Sequence, residues 1–134
     1  MIDIENELFT KIATALRAEY SGIFVTGEYL NAPSRFPAVY IVEMSNTVNR
    51  NGRDTSGIEN FADLMYQVDI FSNKNKGKKA ECRSIAAYID TMFANMGFTR
   101  SYLNPVPNID DGTIYRVTGR WTATVSKDHT VFRR

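Results

Sequence analysis

The densest charge in this sequence is the run Lys74-Asn75-Lys76-Gly77-Lys78-Lys79. It sits directly before a segment with helical periodicity. A helix start offers free N–H groups and a positive partial charge, so such a run can mark a contact with an anion or an acidic partner. Cations there also oppose the helix dipole, by a few tenths to about 1 kcal/mol each when exposed. A solvated basic turn is therefore the simpler reading. A phosphate-binding P-loop is excluded. Gly77-Lys78 is followed by Lys79 rather than Ser or Thr, and Ser72 stands where that motif needs its first Gly.

The remaining reactive side chains do not converge. His129 is the only histidine and Cys82 the only cysteine, so one chain cannot assemble a His/Cys zinc site. There is no Gly-x-Ser-x-Gly elbow to accompany His129, which reads as a surface residue. Cys82 falls on an apolar helical stripe and reads as a small buried hydrophobe. Asp110-Asp111-Gly112 lacks the spaced ligands of a calcium loop and reads as a turn. Trp121, Tyr115 and Tyr66 have the shape for base stacking, but they lie in apolar strand rows and read as core. Neither enzyme activity nor a cofactor nor a metal is expected.

What remains is interface chemistry. Residues 45–60 are polar and without period, and they carry Arg50, Arg53, Asp54 and Glu59. A connection of that length is more often functional than idle. A hairpin turning at Asn51-Gly52 is an equally good reading. Arg116 and Arg120 share the polar face of a long strand. With Lys74, Lys76, Lys78, Lys79 and Arg83 they complete the candidate protein-contact residues.

The elements that must position these residues are legible from periodicity. The chain has 134 residues, 43% hydrophobic and 23% charged, with a formal charge of +1. These values suit one α+β domain over residues 1–134, and the balanced charge gives no general pull toward nucleic acid or membrane. The single cysteine suits a reducing compartment. The acidic opening MIDIENELF lacks the order of a signal peptide, and no apolar run reaches bilayer length. The expectation is a protein made and kept in a cytoplasm, or in a particle assembled there.

A first helix is expected over residues 4–20, capped by Asp3, with the stripe Ile4, Leu8, Ile12, Ala15, Leu16 and Tyr20. Strands are expected over 23–26 and 38–44, separated by a proline-containing loop at 31–37. Residues 61–73 alternate, with Leu64, Tyr66, Val68 and Ile70 in one row. Residues 80–97 change period, and Cys82, Ile85, Ala86, Ile89, Met92, Phe93 and Met96 form one stripe ended by Gly97. A strand over 98–103 is expected to break at 104–108, which holds two prolines. A long strand follows over 113–127, with Tyr115, Val117, Gly119, Trp121, Ala123 and Val125 in one row. Residues 130–132 read as an edge strand. The order α-β-β-β-α-β-β predicts a mainly antiparallel sheet with two helices packed on one face.

Residues 22–44 (GIFVTGEYLNAPSRFPAVYIVEM), 58–90 (IENFADLMYQVDIFSNKNKGKKAECRSIAAYID) and 97–121 (GFTRSYLNPVPNIDDGTIYRVTGRW), with the closing TVFRR, resemble small tail proteins of siphophages and prophages of Gram-positive bacteria. These are grouped as minor capsid, tail-completion or tail-terminator-like proteins. The resemblance implies the fold of the tail terminators of lambda-like phages, which form hexameric rings that cap the tail tube. It implies three partners: further copies of the chain, the major tail tube protein and the head connector proteins. It places the chain in the tail or neck of a virion assembled in the host cytoplasm, with no membrane and no specific nucleic acid. Alternatives are a head–tail connector subunit, or a small-ligand-binding domain or enzyme of a mobile element. A ring needs two complementary surfaces per subunit. The basic residues at 74–79 with Arg83, facing Glu5, Glu7, Asp110 and Asp111, are one such pair.

Overall fold

β3 (Phe61–Ser72) forms the middle of a mostly antiparallel sheet. The computed structural model describes residues 1–28, 33–49, 60–107, 112–129 and 131–132. Around β3 stand α1 (Glu5–Glu19), β1 (Phe24–Thr26), β2 (Ala38–Val48), α2 (Lys78–Asn95), β4 (Thr99–Val106), β5 (Tyr115–Ser126) and β6 (Val131–Phe132). The strand order is β1-β2-β3-β5-β4, with β6 paired to β5 beyond the end of β4. Only β1 runs parallel to its neighbour, β2. The α+β class and the element order are those expected, with the tail residues adding β6.

The apolar rows meet in register. Ala62, Leu64, Tyr66, Val68 and Ile70 of β3 stand opposite Val125, Ala123, Trp121, Gly119 and Val117 of β5. All ten are buried. Val39 and Ile41 of β2 continue the same face opposite Ile70 and Val68. Leu8, Ile12, Ala13 and Leu16 of α1, and Cys82, Ile85, Ala86, Ile89 and Phe93 of α2, close over it in one core. Ala13 rather than Ala15 is the buried alanine of α1. Phe93 stacks on Trp121 with ring centroids 4.7 Å apart, and Trp121 Nε1 donates to Asp90 Oδ1 at 2.9 Å. One bond therefore fixes the largest core side chain to α2.

Local chemistry sets the helix ends. The cap of α1 falls at Ile4, which makes no side-chain cap bond, one residue later than expected, and Asp3 Oδ1 accepts only the Glu5 N–H at 3.1 Å from outside the helix. α2 starts at Lys78, two residues before the apolar stripe suggests, because Gly77 (φ +86°) turns the chain into it. At the other end Gly97 takes φ +92° and the Phe98 N–H returns to the Phe93 carbonyl at 2.9 Å. This is the left-handed helix stop that glycine favours.

Two expected boundaries are corrected. β4 does not break at residues 104–108 but continues through Asn104 and Pro105 to Val106. It ends the sheet order, and an edge strand tolerates proline because one side of it carries no ladder. β2 does not end at Met44 either. After a bulge between Glu43 and Ser45 it pairs with β3 as far as Val48↔Ala62. Pairing with an apolar strand carries the polar Ser45, Asn46 and Thr47 into the sheet. The hairpin reading of this region therefore holds for its strands, and the expected Asn51-Gly52 turn lies outside the described residues.

Candidate functional site

Both helices lie on the inner face, and no described helix covers the outer face of the sheet. Alternation along β3 and β5 sends Asp63, Met65, Gln67, Asp69 and Phe71 outward opposite Thr124, Thr122, Arg120, Thr118 and Arg116. These rows join in cross-strand clusters. Asp69, only 3% exposed, accepts from Thr118 Oγ1, and Arg116 reaches it at 3.2 Å as an ion pair. Arg116 also lies over the Phe71 ring at 5.5 Å. Arg120 Nε donates to Gln67 Oε1 at 3.0 Å, with its guanidinium 5.3 Å from the Tyr102 ring centroid. Thr124 Oγ1 donates to Asp63 Oδ1 at 2.7 Å, and Asn49 Nδ2 joins the same carboxylate. Arg116 and Arg120 are thus half-buried and knitted to neighbouring strands, not free arms on a bare face.

The basic run is organised differently. Lys74, Lys76 and Lys79 are exposed, whereas Lys78 is half-buried and its Nζ donates to the Thr113 carbonyl at 3.2 Å. Glu81 in the first turn of α2 accepts from Ser72 Oγ at 2.7 Å, which ties the helix start to the end of β3. Arg83 is exposed one turn after Lys79 and borders a groove of about 440 Å³ with Arg100, Ser101, Tyr102, Leu103 and Asn104. Arg100 is held by Asp90 at 3.1 Å. Sequence reading selected Arg83 but missed Arg100 and Asp90, and only the fold places β4 beside α2. Arg50, Arg53, Asp54 and Glu59, like Asp110 and Asp111, lie outside the described residues.

The inner face holds three perturbed groups. Tyr66 donates to Glu43 Oε1 at 2.9 Å. Burial lifts the Glu43 carboxyl above its ordinary range, the Tyr66 bond pulls it back, and Glu5 and Asp3 add to the rise. Burial likewise raises the Tyr66 hydroxyl, with Glu43 adding to it. The Cys82 thiol is fully buried and pushed up to about 12, first by burial and then by Glu81. A thiolate nucleophile does not form there at neutral pH. His129 is on the surface, as expected, and its Nδ1 lies 2.9 Å from Glu7 Oε1. The pair rims a cleft of about 260 Å³ floored by Ile4, Leu8, Met96, Phe98 and Val131. Among the described residues no three His, Cys, Asp or Glu side chains gather as a metal site, and no helix is long and apolar enough to cross a membrane.

The described residues offer a polar sheet face, a basic flank on α2 and a groove along β4. No protein-family model matches this chain, and a search of curated proteins finds no match.

Proposed function

We propose that this chain is a structural phage tail subunit that assembles as a homo-hexameric ring, closes the tail tube and joins it to the head connector. The observation that carries this reading is the outer sheet face, which no described helix covers and which the Asp69, Gln67 and Asp63 clusters tie together between β3 and β5, with Arg120 lying over Tyr102 of β4. A head-to-tail ring needs two different, complementary surfaces on each subunit. The helix-covered side and this plate-like side are two such surfaces. The exposed Lys74, Lys76, Lys79 and Arg83 on the α2 flank, and the exposed Glu5 and Glu7 on α1, add opposite charge. The tube and the connector enter through the resemblance of residues 22–44, 58–90 and 97–121 to tail-terminator-like proteins.

Tail length is the direct test. Tails assembled without this protein should be overlong in electron micrographs, and tails of normal length would overturn the reading. Normal-length tails that fail to join heads would instead assign a neck role. A second test reverses charge at Lys76 and Lys79 together. Lys78 is left intact because its bond to Thr113 is part of the fold. Light scattering should show loss of ring assembly or tail attachment with the fold unchanged.

A further inference from the structure

The groove beside Arg83 has a feature that a surface dimple lacks. Five consecutive β4 residues, Arg100 to Asn104, border it. Successive strand residues point to opposite faces of a sheet. Beyond the register shift Tyr102, Leu103 and Asn104 alternate between the two faces, and residues of both faces border one groove where it runs along the open edge of the strand. β4 ends the strand order, and among the described residues no strand pairs with its far side. Arg100 pairs in register with Trp121, and Leu103 with Gly119, so both belong to the inner side of the edge. Tyr102 and Asn104, opposite Arg120 and Thr118, belong to the outer side. Arg83 leans in from α2 on the inner side, with no hydrogen-bond or ion-pair partner among the described residues. Asp90 holds Arg100 in place.

We infer that the open edge of β4 accepts an extended acidic segment of a partner protein as an added strand. Main-chain hydrogen bonds give such an addition its affinity, and alternate side chains give its specificity. The alternation sets the chemistry here. Every second residue of the added strand falls on the inner side, where Arg83, with Lys79 one turn away, favours a carboxylate. The residues between them fall beside Tyr102, an exposed aromatic that suits an apolar or β-branched side chain. The site also has ends. The register shift between Arg100 and Tyr102 interrupts the edge on one side, and Pro105, lacking an N–H, interrupts it on the other. These interruptions guard the edge against indiscriminate pairing and leave about three or four residues for a partner. The inference does not depend on the tail reading, because it concerns a peptide-binding edge in whatever assembly the chain occupies.

The test is fluorescence anisotropy on the full chain, with a fluorescein-labelled peptide of alternating Glu and Val, about eight residues long. It should bind saturably, and binding should weaken as salt rises. An alternating Lys and Val peptide should not bind. N-methylation of alternate residues should abolish binding, because it removes the strand hydrogen bonds and leaves the carboxylates. Arg83→Glu should weaken binding about tenfold or more. Arg83 is exposed, so circular dichroism should show that variant folded, with Arg83→Gln as the milder check. Failure of the Glu-Val peptide to bind, equal binding of the N-methylated peptide, or an unchanged affinity for Arg83→Glu would each overturn the inference. So would tighter binding of a labelled oligothymidylate than of the Glu-Val peptide, which would mark a nucleic-acid surface. Tail-length measurements are untouched by any of these outcomes, so the two proposals fail separately.

Discussion

Gly119→Ala should destabilise the protein through one contact. Gly119 lies in the inward row of β5, and a Cβ placed there would meet Trp121 Cη2 at 2.5 Å, Trp121 Cζ3 at 2.7 Å and Leu103 Cδ1 at 3.1 Å. The indole cannot step aside cheaply. It is stacked on Phe93 at 4.7 Å, bonded to Asp90 at 2.9 Å and 1% exposed. Overpacking a close-packed core costs about 1–3 kcal/mol, and a clamped neighbour puts this site at the upper end. Removing glycine's extra unfolded freedom returns about 0.4–1 kcal/mol. The net loss expected is about 2 kcal/mol, a fall in Tm of about 6–10 °C for a chain of this size. Urea unfolding of wild type and variant gives the number directly. Gly112→Ala is the control, since nothing lies within 4 Å of the added carbon. It should not destabilise, and the lost unfolded freedom should leave it level with wild type or up to about 1 kcal/mol more stable. In a Trp121→Phe background the Gly119→Ala cost should shrink, with a coupling of about 1 kcal/mol or more. A Gly119→Ala variant as stable as wild type, or a cost unchanged by Trp121→Phe, would refute the packing argument.

Glu43 makes stability depend on pH in an unusual direction for a carboxylate. Its folded pKa is raised, so its contribution is complete below the ordinary glutamate value and is lost as pH rises through the raised value. Glu43→Gln keeps an acceptor for the Tyr66 hydroxyl and should gain stability over wild type at neutral pH while losing that advantage in acid. Urea midpoints at the two pH values check this, and a pH-independent difference would count against it. Gly97→Ala should cost more than Gly77→Ala. Both glycines have positive φ, for which an alanine costs about 1–2 kcal/mol, but only at Gly97 does the added carbon also press on Val131 Cγ1, at 3.0 Å. Thermal unfolding of the two variants side by side ranks them, and equal losses would remove the Val131 contact from the account.

Periodicity alone determined the elements and their inward faces. The row Leu64, Tyr66, Val68 and Ile70, the stripe from Cys82 to Phe93 and the stop at Gly97 could be written from the sequence, because apolar spacing and glycine punctuation are local signals. Local signals also marked Cys82 as core and Lys74, Lys76 and Lys79 as surface. They could not assign partners. Asp69 finds Thr118, Trp121 finds Asp90 and His129 finds Glu7 across separations of 49, 31 and 122 residues. Strand register decides the first pairing and helix placement the other two, and a one-residue slip of β5 would send Thr118 and Trp121 to the other face. Tertiary position likewise reversed two local expectations. Pro105 does not break β4 because β4 is an edge, and Ser45 to Val48 form strand because β3 lies alongside. The candidate sites divide in the same way. The sequence supplied the charges, but only the fold knitted Arg116 and Arg120 into the sheet and set Arg83 and Arg100 beside the open edge of β4.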